Sequence, residues 1–411
     1  MSFSPKQKQI LTFPYERDYD ALICDGAVRS GKTSIMSLSF VLWMMAEFNH
    51  CSFAFCGKSV GAVERNIVQP LLSVRYLQQQ FQITYNRSGH VLTVQRGGKV
   101  NMVYLFGGKD ESSYMLIQGI TLAGVLLDEV ALMPRSFVEQ ALARCSVTGA
   151  KFWFNCNPEN PEHWFRKEWI LQAKKHRALH LHFLMDDNPS LDERTRERYR
   201  SMYSGVFYER YILGRWVMAE GLIYDMMDTT ANTYRPQDAP VGFKSLSTRT
   251  ITCDYGTTNP TVYLDVYDDG EKVRVHREYR WDSREEHRQK TDEEYADDFM
   301  EFMGKDPCAA IVDPAAASFI TALRQRGVYV MEGNNDVLNG IRKCSTLLSH
   351  RDLLISTDCE GLLDELGTYR WDDKAALMGV EKPIKQQDHG PDALRYYINS
   401  LPDWRFERVQ T

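Results

Sequence analysis

The sequence predicts an α/β protein made of two domains, the first of them built on a mostly parallel sheet. The chain has 411 residues, which is more than one ordinary domain needs. Its first half alternates apolar, strand-like runs with amphipathic helical stretches, a pattern typical of βαβ units. A polar stretch then separates this half from a second series of strand candidates.

The first half opens with the strand candidate ALICDG (21–26), which leads through a glycine-rich turn into the helical stretch 34–48. Two alternating runs on either side of the turn 96–99 predict a β-hairpin over 90–107. Continuous apolar runs also predict three further buried parallel strands, over 51–57, 121–129 and 150–158.

The two predicted domains meet in a region whose character changes twice. Residues 186–220 are highly charged and aromatic, with helical spacing, whereas 228–249 is polar, carries two prolines and has no periodicity. We therefore predict a first domain over 1–220 that includes a helical linker subdomain from about 186. A linker over 221–249 and a second domain over 250–411 follow.

The second half begins with three consecutive strand candidates, RTITCDYG, TVYLDVYDD and KVRVHREYRW. AAIVDP predicts a fourth strand that leads into a helix. On the alternating strand TVYLDVYDD, Asp265 is expected to face solvent.

The composition is that of a globular protein, with 43% apolar and 25% charged residues. No run approaches the roughly 18–20 apolar residues of a membrane span, and the nine cysteines form no CxxC pair, which favours a reducing cytoplasm. The net charge of −6 argues against a protein that coats nucleic acid by bulk electrostatics, although local basic patches remain compatible with it.

The strongest motif is GAVRSGKT (26–33), which matches the phosphate-binding pattern GxxxxGK[ST] between a strand and a helix. The glycines let backbone amides converge on phosphate oxygens, Lys32 would reach the β- and γ-phosphates, and Thr33 would hold magnesium. The predicted nucleotide-binding residues of this motif are Gly26, Arg29, Ser30, Gly31, Lys32 and Thr33.

A second motif, VLLDE (125–129), is an apolar strand that ends in two carboxylates. A buried acid needs a cation or a metal as partner, so Asp128 is predicted to bind magnesium and Glu129 to orient or deprotonate the attacking water. This pair of carboxylates favours a nucleotide hydrolase over a kinase. A hydrolase needs a residue that positions the attacking water, whereas a kinase needs a base for the hydroxyl group of its substrate.

Two further features fit a motor ATPase less specifically. Gln7 and Gln9 lie upstream of the first strand, where an amide can bind adenine; a solvated helix is the alternative. Asn155 and Asn157 follow the strand AKFWF, where polar side chains can sense the γ-phosphate; a plain Asn-Pro turn is the alternative.

In the second half, Asp254 and Asp313 each end a predicted strand and Asp392 lies near the start of a helix. Three such carboxylates can meet at one sheet edge and hold the ions of a two-metal phosphodiester hydrolase. The alternatives are an N-cap for Asp388, a helix-dipole role for Asp392 and a surface position for His389.

Taken together, the motifs resemble the large terminase family of tailed phages and prophages. In order they are GAVRSGKT, LLDEVA, FNCNPENPEHWF, DDNPSL, YILGRWVMAEGLIYD, CDYGTTNPT, VDPAAASF and DHGPDALRYY, and they cover nearly the whole chain. The resemblance implies an N-terminal P-loop ATPase of the ASCE type and a C-terminal nuclease with an RNase H-like fold. It also implies that Asp254, Asp313 and Asp392 are metal ligands, with His389 close by.

The same resemblance implies a motor that drives double-stranded DNA into a procapsid and cuts concatemeric genome DNA. The implied cofactors are ATP and Mg²⁺, with Mn²⁺ as an alternative at the nuclease site. The implied partners are double-stranded DNA, a small terminase subunit, the portal protein and further copies of the chain in a ring, five by resemblance, with no membrane. The implied location is the cytoplasm of the infected bacterium, not the mature virion.

Several assignments stay open at this point. An arginine finger between neighbouring subunits is expected, and Arg29, Arg135 and Arg144 are candidates, of which Arg144 is selected. Lys58 stands after the second strand, where similar proteins often have arginine. The run 194–200 carries four arginines and could follow a phosphate backbone, or form a solvated helix.

Two other classes of function also remain open. A cellular helicase-nuclease or repair ATPase would use similar modules but would separate strands. A DNA-binding ATPase switch would not cut, so that Asp313→Ala would leave no activity to lose.

Overall fold

The computed structural model describes residues 3–257 and 259–406. Contacts divide the chain into two compact units. Unit 1 takes the described residues up to Arg196 together with Tyr208–Met218, and unit 2 takes Glu197–Phe207 together with the chain from Ala219 onward. Within the described ranges, no helix combines the length and the apolar character that crossing a membrane requires. All nine cysteines are free thiols.

Unit 1 is built on an eight-stranded sheet in the order β3-β4-β5-β2-β6-β7-β1-β8. The five pairings among β5, β2, β6, β7, β1 and β8 are parallel, and the hairpin partners β3, β4 and β5 pair antiparallel. Its strands are β1 (Ala21–Gly26), β2 (Ser52–Gly57), β3 (Gln82–Asn86), β4 (Val91–Arg96), β5 (Lys99–Gly107), β6 (Gly124–Leu127), β7 (Lys151–Asn155) and β8 (Ala178–Phe183). The predicted strands, the hairpin and the mostly parallel sheet are confirmed.

Helices cover both faces of this sheet, since apolar side chains of the buried strands alternate between two cores. On one face Phe40 and Trp43 of the long helix pack against Trp153 with ring centroids 4.8 Å apart in each pair. On the other face Phe137 and Phe154 are fully buried. The helices are α1 (Pro5–Thr12), α2 (Lys32–Glu47), α3 (Val60–Val63), α4 (Gln69–Ser73), α5 (Arg75–Gln80) and α6 (Arg135–Arg144), with α7 (Glu193–Ser201) and α8 (Gly205–Tyr211) where the chain passes between the units.

Unit 2 has a seven-stranded sheet in the order β14-β13-β10-β11-β12-β15-β9. An antiparallel meander of β10, β11 and β12 is extended by β13 and β14, which run parallel to β10. This arrangement is RNase H-like, as predicted. The strands are β9 (Thr233–Tyr234), β10 (Thr248–Asp254), β11 (Thr261–Asp268), β12 (Val273–Trp281), β13 (Ala309–Val312), β14 (Val330–Glu332) and β15 (Leu353–Ser356).

The helices of unit 2 place the last long helix against the centre of its sheet. Ala393 in that helix accepts a hydrogen bond of 2.6 Å from the Thr252 hydroxyl of β10. The helices are α9 (Asp292–Met303), α10 (Ala317–Gln325), α11 (Val337–Ser349), α12 (Glu360–Thr368), α13 (Asp373–Leu377) and α14 (His389–Ser400).

The stretch 221–249, predicted as a linker, contributes structure to unit 2. Strand β9 pairs in parallel with β15 through Thr233 and Tyr234, and Asn232 donates hydrogen bonds to two backbone carbonyls of the same unit. Phe243 packs edge-on against Tyr267 at 5.4 Å. A short strand of two residues has no periodicity to recognise, which is why the sequence pattern is silent here.

The prediction that Asp265 faces solvent is wrong. Its side chain is fully buried, because β11 lies between β10 and β12 in the sheet and seven of its eight residues are buried. Arg249 donates to one carboxylate oxygen at 2.7 Å and to the other at 3.1 Å, and Arg277 donates to the second oxygen at 2.8 Å. The polar residue in this alternating strand is therefore a buried carboxylate whose charge is compensated by Arg249 and Arg277.

We expect Asp265→Ala to lower the free energy of unfolding by about 3 kcal/mol, because it leaves Arg249, whose side chain is only 12% exposed, without its counterion. Denaturant unfolding followed by tryptophan fluorescence measures this change. Asp297→Ala, which removes the exposed partner of Arg326, is the matched control and should leave unfolding nearly unchanged. Equal effects of the two substitutions would contradict the structural role of Asp265.

Candidate functional site

The phosphate-binding motif forms a loop between β1 and α2 whose glycines are required by its backbone. Gly26 has φ +126°, and a Cβ atom there would lie 2.0 Å from the carbonyl oxygen of Phe183 on β8. Gly31 has φ +83° and is the residue from which α2 starts. The loop can therefore close tightly above the sheet with its backbone amides at the start of a helix, which is the usual anion-binding geometry.

Lys32 lies folded into this loop. Its ammonium donates to the carbonyl oxygens of Gly26 and Ala27 at 3.1 and 2.7 Å, and to the Asn157 side chain at 3.3 Å. Burial lowers the pKa of Lys32, and these acceptors compensate part of the cost of desolvating the charge. Lys32, which the sequence assigns to the phosphates, is thus held at the loop and contacts Asn157, two residues after the end of β7.

Asp128 follows β6 and faces the loop. It is buried, and it accepts hydrogen bonds from the Thr33 hydroxyl at 3.1 Å and from Asn66 at 3.2 Å. Asn155 donates to Asp128 and, at 2.8 Å, to the Thr33 hydroxyl. Burial raises the pKa of Asp128. The fold therefore brings together Thr33, Asp128 and Asn155, which the sequence predicted from three separate motifs.

Glu129 adopts a left-handed conformation with φ +56°. This backbone is uncommon for a residue other than glycine or asparagine and is found most often at functional positions. Burial, and then the charge of Asp128, raise the pKa of Glu129, whereas the positive charges of Lys58, Lys32 and Arg65 oppose the rise. A carboxylate with a raised pKa is better suited to accept a proton.

These residues line one cavity of about 530 Å³. Arg29, Ser30, Gly31, Lys32, Thr33, Asp128, Glu129, Asn155 and Asn157 are the predicted residues in its lining. Arg65, Asn66 and Asn188 also line it, and the sequence reasoning gave them no role. Asn188 stands in the quoted motif DDNPSL and donates to the Arg29 carbonyl at 2.8 Å, whereas Asn66 lies in an irregular helical turn without a motif.

Gln7 lies next to the phosphate loop without lining the cavity. It is buried, and its amide nitrogen is 3.1 Å from where a Cβ of Gly31 would be. Its side-chain oxygen accepts a hydrogen bond from the Ser4 amide at 3.1 Å, which makes it the closing residue of a capping box on α1. Gln9, by contrast, is exposed.

The three arginine candidates lie in different places. Arg29 lines the nucleotide cavity. Arg144 ends α6, and its carbonyl accepts a hydrogen bond from the Leu122 amide just before β6. It therefore lies near the amino end of β6, whereas Asp128 follows the carboxyl end of that strand. Arg135 is exposed and pairs with Glu139 and Glu168 at 2.6 Å each. Arg144 therefore does not reach the site of its own chain.

A buried carboxylate that the sequence reasoning did not identify precedes the phosphate loop. Asp25 is the penultimate residue of β1 and accepts hydrogen bonds from His180 at 2.8 Å, His182 at 3.0 Å and the Trp216 indole at 2.7 Å. Burial opposes ionisation, but these three donors outweigh it and hold the pKa of Asp25 well below its usual range. The segment 208–218 is thereby attached to the strand that carries the loop.

In unit 2 the three predicted aspartates line one open cavity of about 1010 Å³. Asp254 ends β10, Asp313 follows β13, which is parallel to β10, and Asp392 lies in the first turn of α14. The carboxyl ends of the two parallel strands lie side by side, and α14 packs across β10. This explains how residues so far apart in sequence come together.

Tyr396 connects the two strand-end carboxylates, and His389 contacts one of them. The Tyr396 hydroxyl lies 2.9 Å from Asp313 and 3.5 Å from Asp254, and His389 Nδ1 lies 2.8 Å from Asp254. Burial, and after it the charges of Asp392 and Asp313, raise the pKa of Asp254, while the His389 hydrogen bond opposes the rise. Burial alone would lower the pKa of His389, but the bond to Asp254 raises it.

Asp392 is held by two cations. Arg395, three residues further on α14, contacts one of its oxygens at 3.0 Å, and Lys385 contacts the other at 3.1 Å. Lys385 also lies 3.1 Å from Asp388. Asp388, for which an N-cap was the alternative, occupies the N-cap position of α14 but makes no capping hydrogen bond through its side chain.

The donor set suits a hard divalent cation, because carboxylate oxygens are the ligands that Mg²⁺ and Mn²⁺ prefer. In the described ranges no three His, Cys, Asp or Glu side chains are disposed around one point as a metal site would require. Asp254 is engaged by His389, Asp313 by Tyr396 and Asp392 by Lys385. Binding an ion therefore requires these polar partners to yield oxygens to it.

Lys385, Tyr396 and Asn335 are site residues that the sequence reasoning missed. Asn335 donates to Asp313 at 3.2 Å from a loop after β14 and belongs to no motif. Tyr396 stands within the quoted DHGPDALRYY, four residues after Asp392 on α14, so helical spacing could have indicated it. Lys385 lies in a bend before α14, where helical spacing gives no signal. The arginine run lies on α7, where Arg196 pairs with Glu193 at 3.2 Å and with Asp186 at 3.4 Å.

Fold and cavities define a class of protein in which a P-loop unit of the ASCE type precedes an RNase H-like unit. A family model described as "Terminase large subunit, T4likevirus-type, N-terminal" matches residues 23–231. A search of curated proteins found no match. Residues 23–231 include both the phosphate loop and the Asp128–Glu129 pair.

Solved structures of the large terminase from a thermophilic bacteriophage are similar over almost the whole chain. One crystal form has 47% sequence identity and a TM-score of 0.92, covering 98% of this chain and 99% of that chain. The same phage protein in complex with ADP has 46% sequence identity and a TM-score of 0.90. In complex with ATP-gamma-S it has 46% sequence identity and a TM-score of 0.89. Each match covers 97% of this chain and 99% of that chain. The chain belongs to the phage large terminase family.

We expect Gly26→Ala to destabilise unit 1 by about 4 kcal/mol, because the added Cβ would meet a backbone carbonyl that cannot move without disturbing β8. Gly98→Ala is the matched control, since Gly98 has φ +86° but no atom within 4 Å of its Cβ position, and left-handed strain alone costs about 1 kcal/mol. Thermal unfolding compares the two. If they destabilise equally, the close approach to Phe183 is not the cause.

Proposed function

We propose that this chain is a DNA-packaging motor in which ATP hydrolysis in unit 1 drives double-stranded DNA into a procapsid and unit 2 cuts concatemeric genome DNA. The observation that carries the proposal is a hydrogen bond of 3.1 Å from the Thr33 hydroxyl to the Asp128 carboxylate. It lies in the cavity that the phosphate loop lines. The complexes of the thermophilic phage protein with ADP and ATP-gamma-S support the assignment of that cavity to a nucleotide.

In unit 1, the loop amides and Lys32 would bind the β- and γ-phosphates. Thr33 and Asp128 would hold Mg²⁺, which when bound neutralises charge on the phosphates. Glu129, with its raised pKa, would orient the attacking water and accept its proton. Asn157 contacts Lys32 at 3.3 Å, so it is placed to respond when the ammonium turns toward a phosphate.

The remaining assignments in unit 1 are also proposals. Gln7 lies beside Gly31 and would contact the base side of the nucleotide, and Arg29 lines the cavity. Arg144 would act only on a neighbouring subunit, because it lies at the far edge of its own sheet. This requires the chain to assemble into a ring, which we propose to be a pentamer.

In unit 2, Asp254, Asp313 and Asp392 would hold divalent ions, Mg²⁺ or Mn²⁺, which when bound supply a hydroxide nucleophile and stabilise the leaving oxygen. His389 fixes the orientation of the Asp254 carboxylate through its 2.8 Å contact. Arg395 is buried against Asp392 and reduces the mutual repulsion of the acids. Tyr396 holds Asp313 and Asp254 at a common hydroxyl.

The proposed partners follow from membership of the family. They are double-stranded DNA, a small terminase subunit, the portal protein of the procapsid and further copies of this chain. The proposed location is the cytoplasm of an infected bacterium, and the chain would leave before the virion matures. Duplex translocation without strand separation distinguishes this motor from a helicase-nuclease.

We expect Lys32→Ala to lower ATP turnover at least about 100-fold, because the lysine is the charge assigned to the transferred phosphate. Phosphate release measures turnover, and far-UV circular dichroism confirms that the variant is folded. Lys8→Ala, an exposed lysine of α1, is the control and should hydrolyse ATP like the wild type. Undiminished turnover by Lys32→Ala would refute the assignment of this loop.

We expect Asp313→Ala and Asp254→Ala each to lower plasmid cutting at least about 100-fold in Mn²⁺ or Mg²⁺, because each removes an oxygen ligand. ATP turnover should persist in both. Gel electrophoresis of supercoiled plasmid measures cutting, and Asp297→Ala, on the surface of α9, is the control. Retained cutting in both variants would refute the nuclease site and favour the non-cutting switch.

A further inference from the structure

The ammonium of Lys385 bridges two carboxylates of the nuclease cavity. Its nitrogen lies 3.1 Å from Asp388 Oδ2 and 3.1 Å from Asp392 Oδ2. The two carboxylates are nearly buried, with side-chain exposures of 8% and 9%, whereas the lysine side chain is 65% exposed. The ammonium of an exposed lysine side chain thus contacts two nearly buried carboxylates.

The other cation on Asp392 is of a different kind. Arg395 is buried with 3% side-chain exposure and contacts Oδ1 of Asp392, not Oδ2. Its stem packs against α11 so closely that a Cβ on Gly340 would lie 2.2 Å from Arg395 Cγ. Arg395 is therefore a fixed counterion of one oxygen, and it leaves Oδ2 to Lys385.

The backbone next to Lys385 is anchored, so that only the side chain needs to move. Ile384 donates to the Arg370 carbonyl at 2.9 Å, and Asp372 donates to the Lys382 carbonyl at 3.0 Å. The ammonium is held near Asp392 by a short tether, which gives it a high effective concentration at that oxygen. Rotation about the side-chain bonds alone can move it away from the carboxylates.

On the basis of the function proposed for this cavity, we propose that Lys385 is a tethered cation that competes with a divalent metal ion for Asp392. Without the ion, the ammonium keeps two neighbouring buried carboxylates from repelling each other. When an ion binds, the ammonium is expected to leave Oδ2 of Asp392, because two cations held at contact distance from one oxygen repel each other strongly. The residue thus lowers the metal affinity of the site while it stabilises the metal-free fold.

This double role gives opposite signs in two measurements. Removing the charge should weaken the metal-free fold, because the acids lose their shared counterion. It should also strengthen metal binding, because the competitor is gone. A residue that only supports the structure would lose both together. Lys385→Met keeps the length of the stem without its charge, and Lys385→Gln is a second neutral variant.

The experiment titrates Mn²⁺ into the nucleotide-free full chain and follows free Mn²⁺ by electron paramagnetic resonance. Thermal unfolding in a chelator is measured in parallel. We expect the apparent Kd of Lys385→Met to be about tenfold lower than that of the wild type, as for the loss of a charge-assisted contact, and its Tm to be lower. Lys374→Met, which removes an exposed lysine of α13 outside the cavity, should match the wild type in both.

Asp313→Ala separates the two possible failures. If its titration superimposes on that of the wild type, Asp313 holds no ion, and both the nuclease proposal and the competition that rests on it are overturned. If Asp313→Ala loses Mn²⁺ binding while Lys385→Met and Lys385→Gln bind as the wild type does, or more weakly, the nuclease site stands and the competition is overturned.

Discussion

Carboxylates at the ends of buried strands must find polar or charged partners, and both units are organised around this constraint. Desolvating a charged oxygen without a partner would cost several kcal/mol. In unit 1 Asp128 obtains its partners from the phosphate loop and from Asn155. In unit 2 Asp254 obtains His389 from α14. The contacts that make these acids tolerable are the same contacts that assemble the two sites.

The constraint also explains why each site is made of distant segments. A parallel sheet brings the carboxyl ends of its strands to one edge, so residues separated by a whole βαβ unit become neighbours. Thr33 and Asp128 meet in this way across 95 positions. The RNase H-like sheet achieves the same with β10 and β13, and α14 then adds the third acid.

The elements that could be predicted from the sequence are those with a period or a fixed motif. The buried strands, the hairpin over 90–107 and the phosphate loop all have such a signal, and they form as expected. Asp265 was misjudged because alternation does not distinguish solvent from an interior ion pair. Asn66 and Asn335 could not be predicted, since an amide in an irregular turn acquires its partner only when the chain is folded.

The hydrogen bond between Asp25 and Trp216 has a mechanical consequence. The chain leaves unit 1 after Met218, two residues beyond the indole that is fastened to the strand just before Gly26. A second attachment joins the Val28 amide to the Tyr211 carbonyl at 2.8 Å. The phosphate loop and the segment 208–218 are thus fastened to each other at two points, so that neither can shift alone without breaking one of these hydrogen bonds.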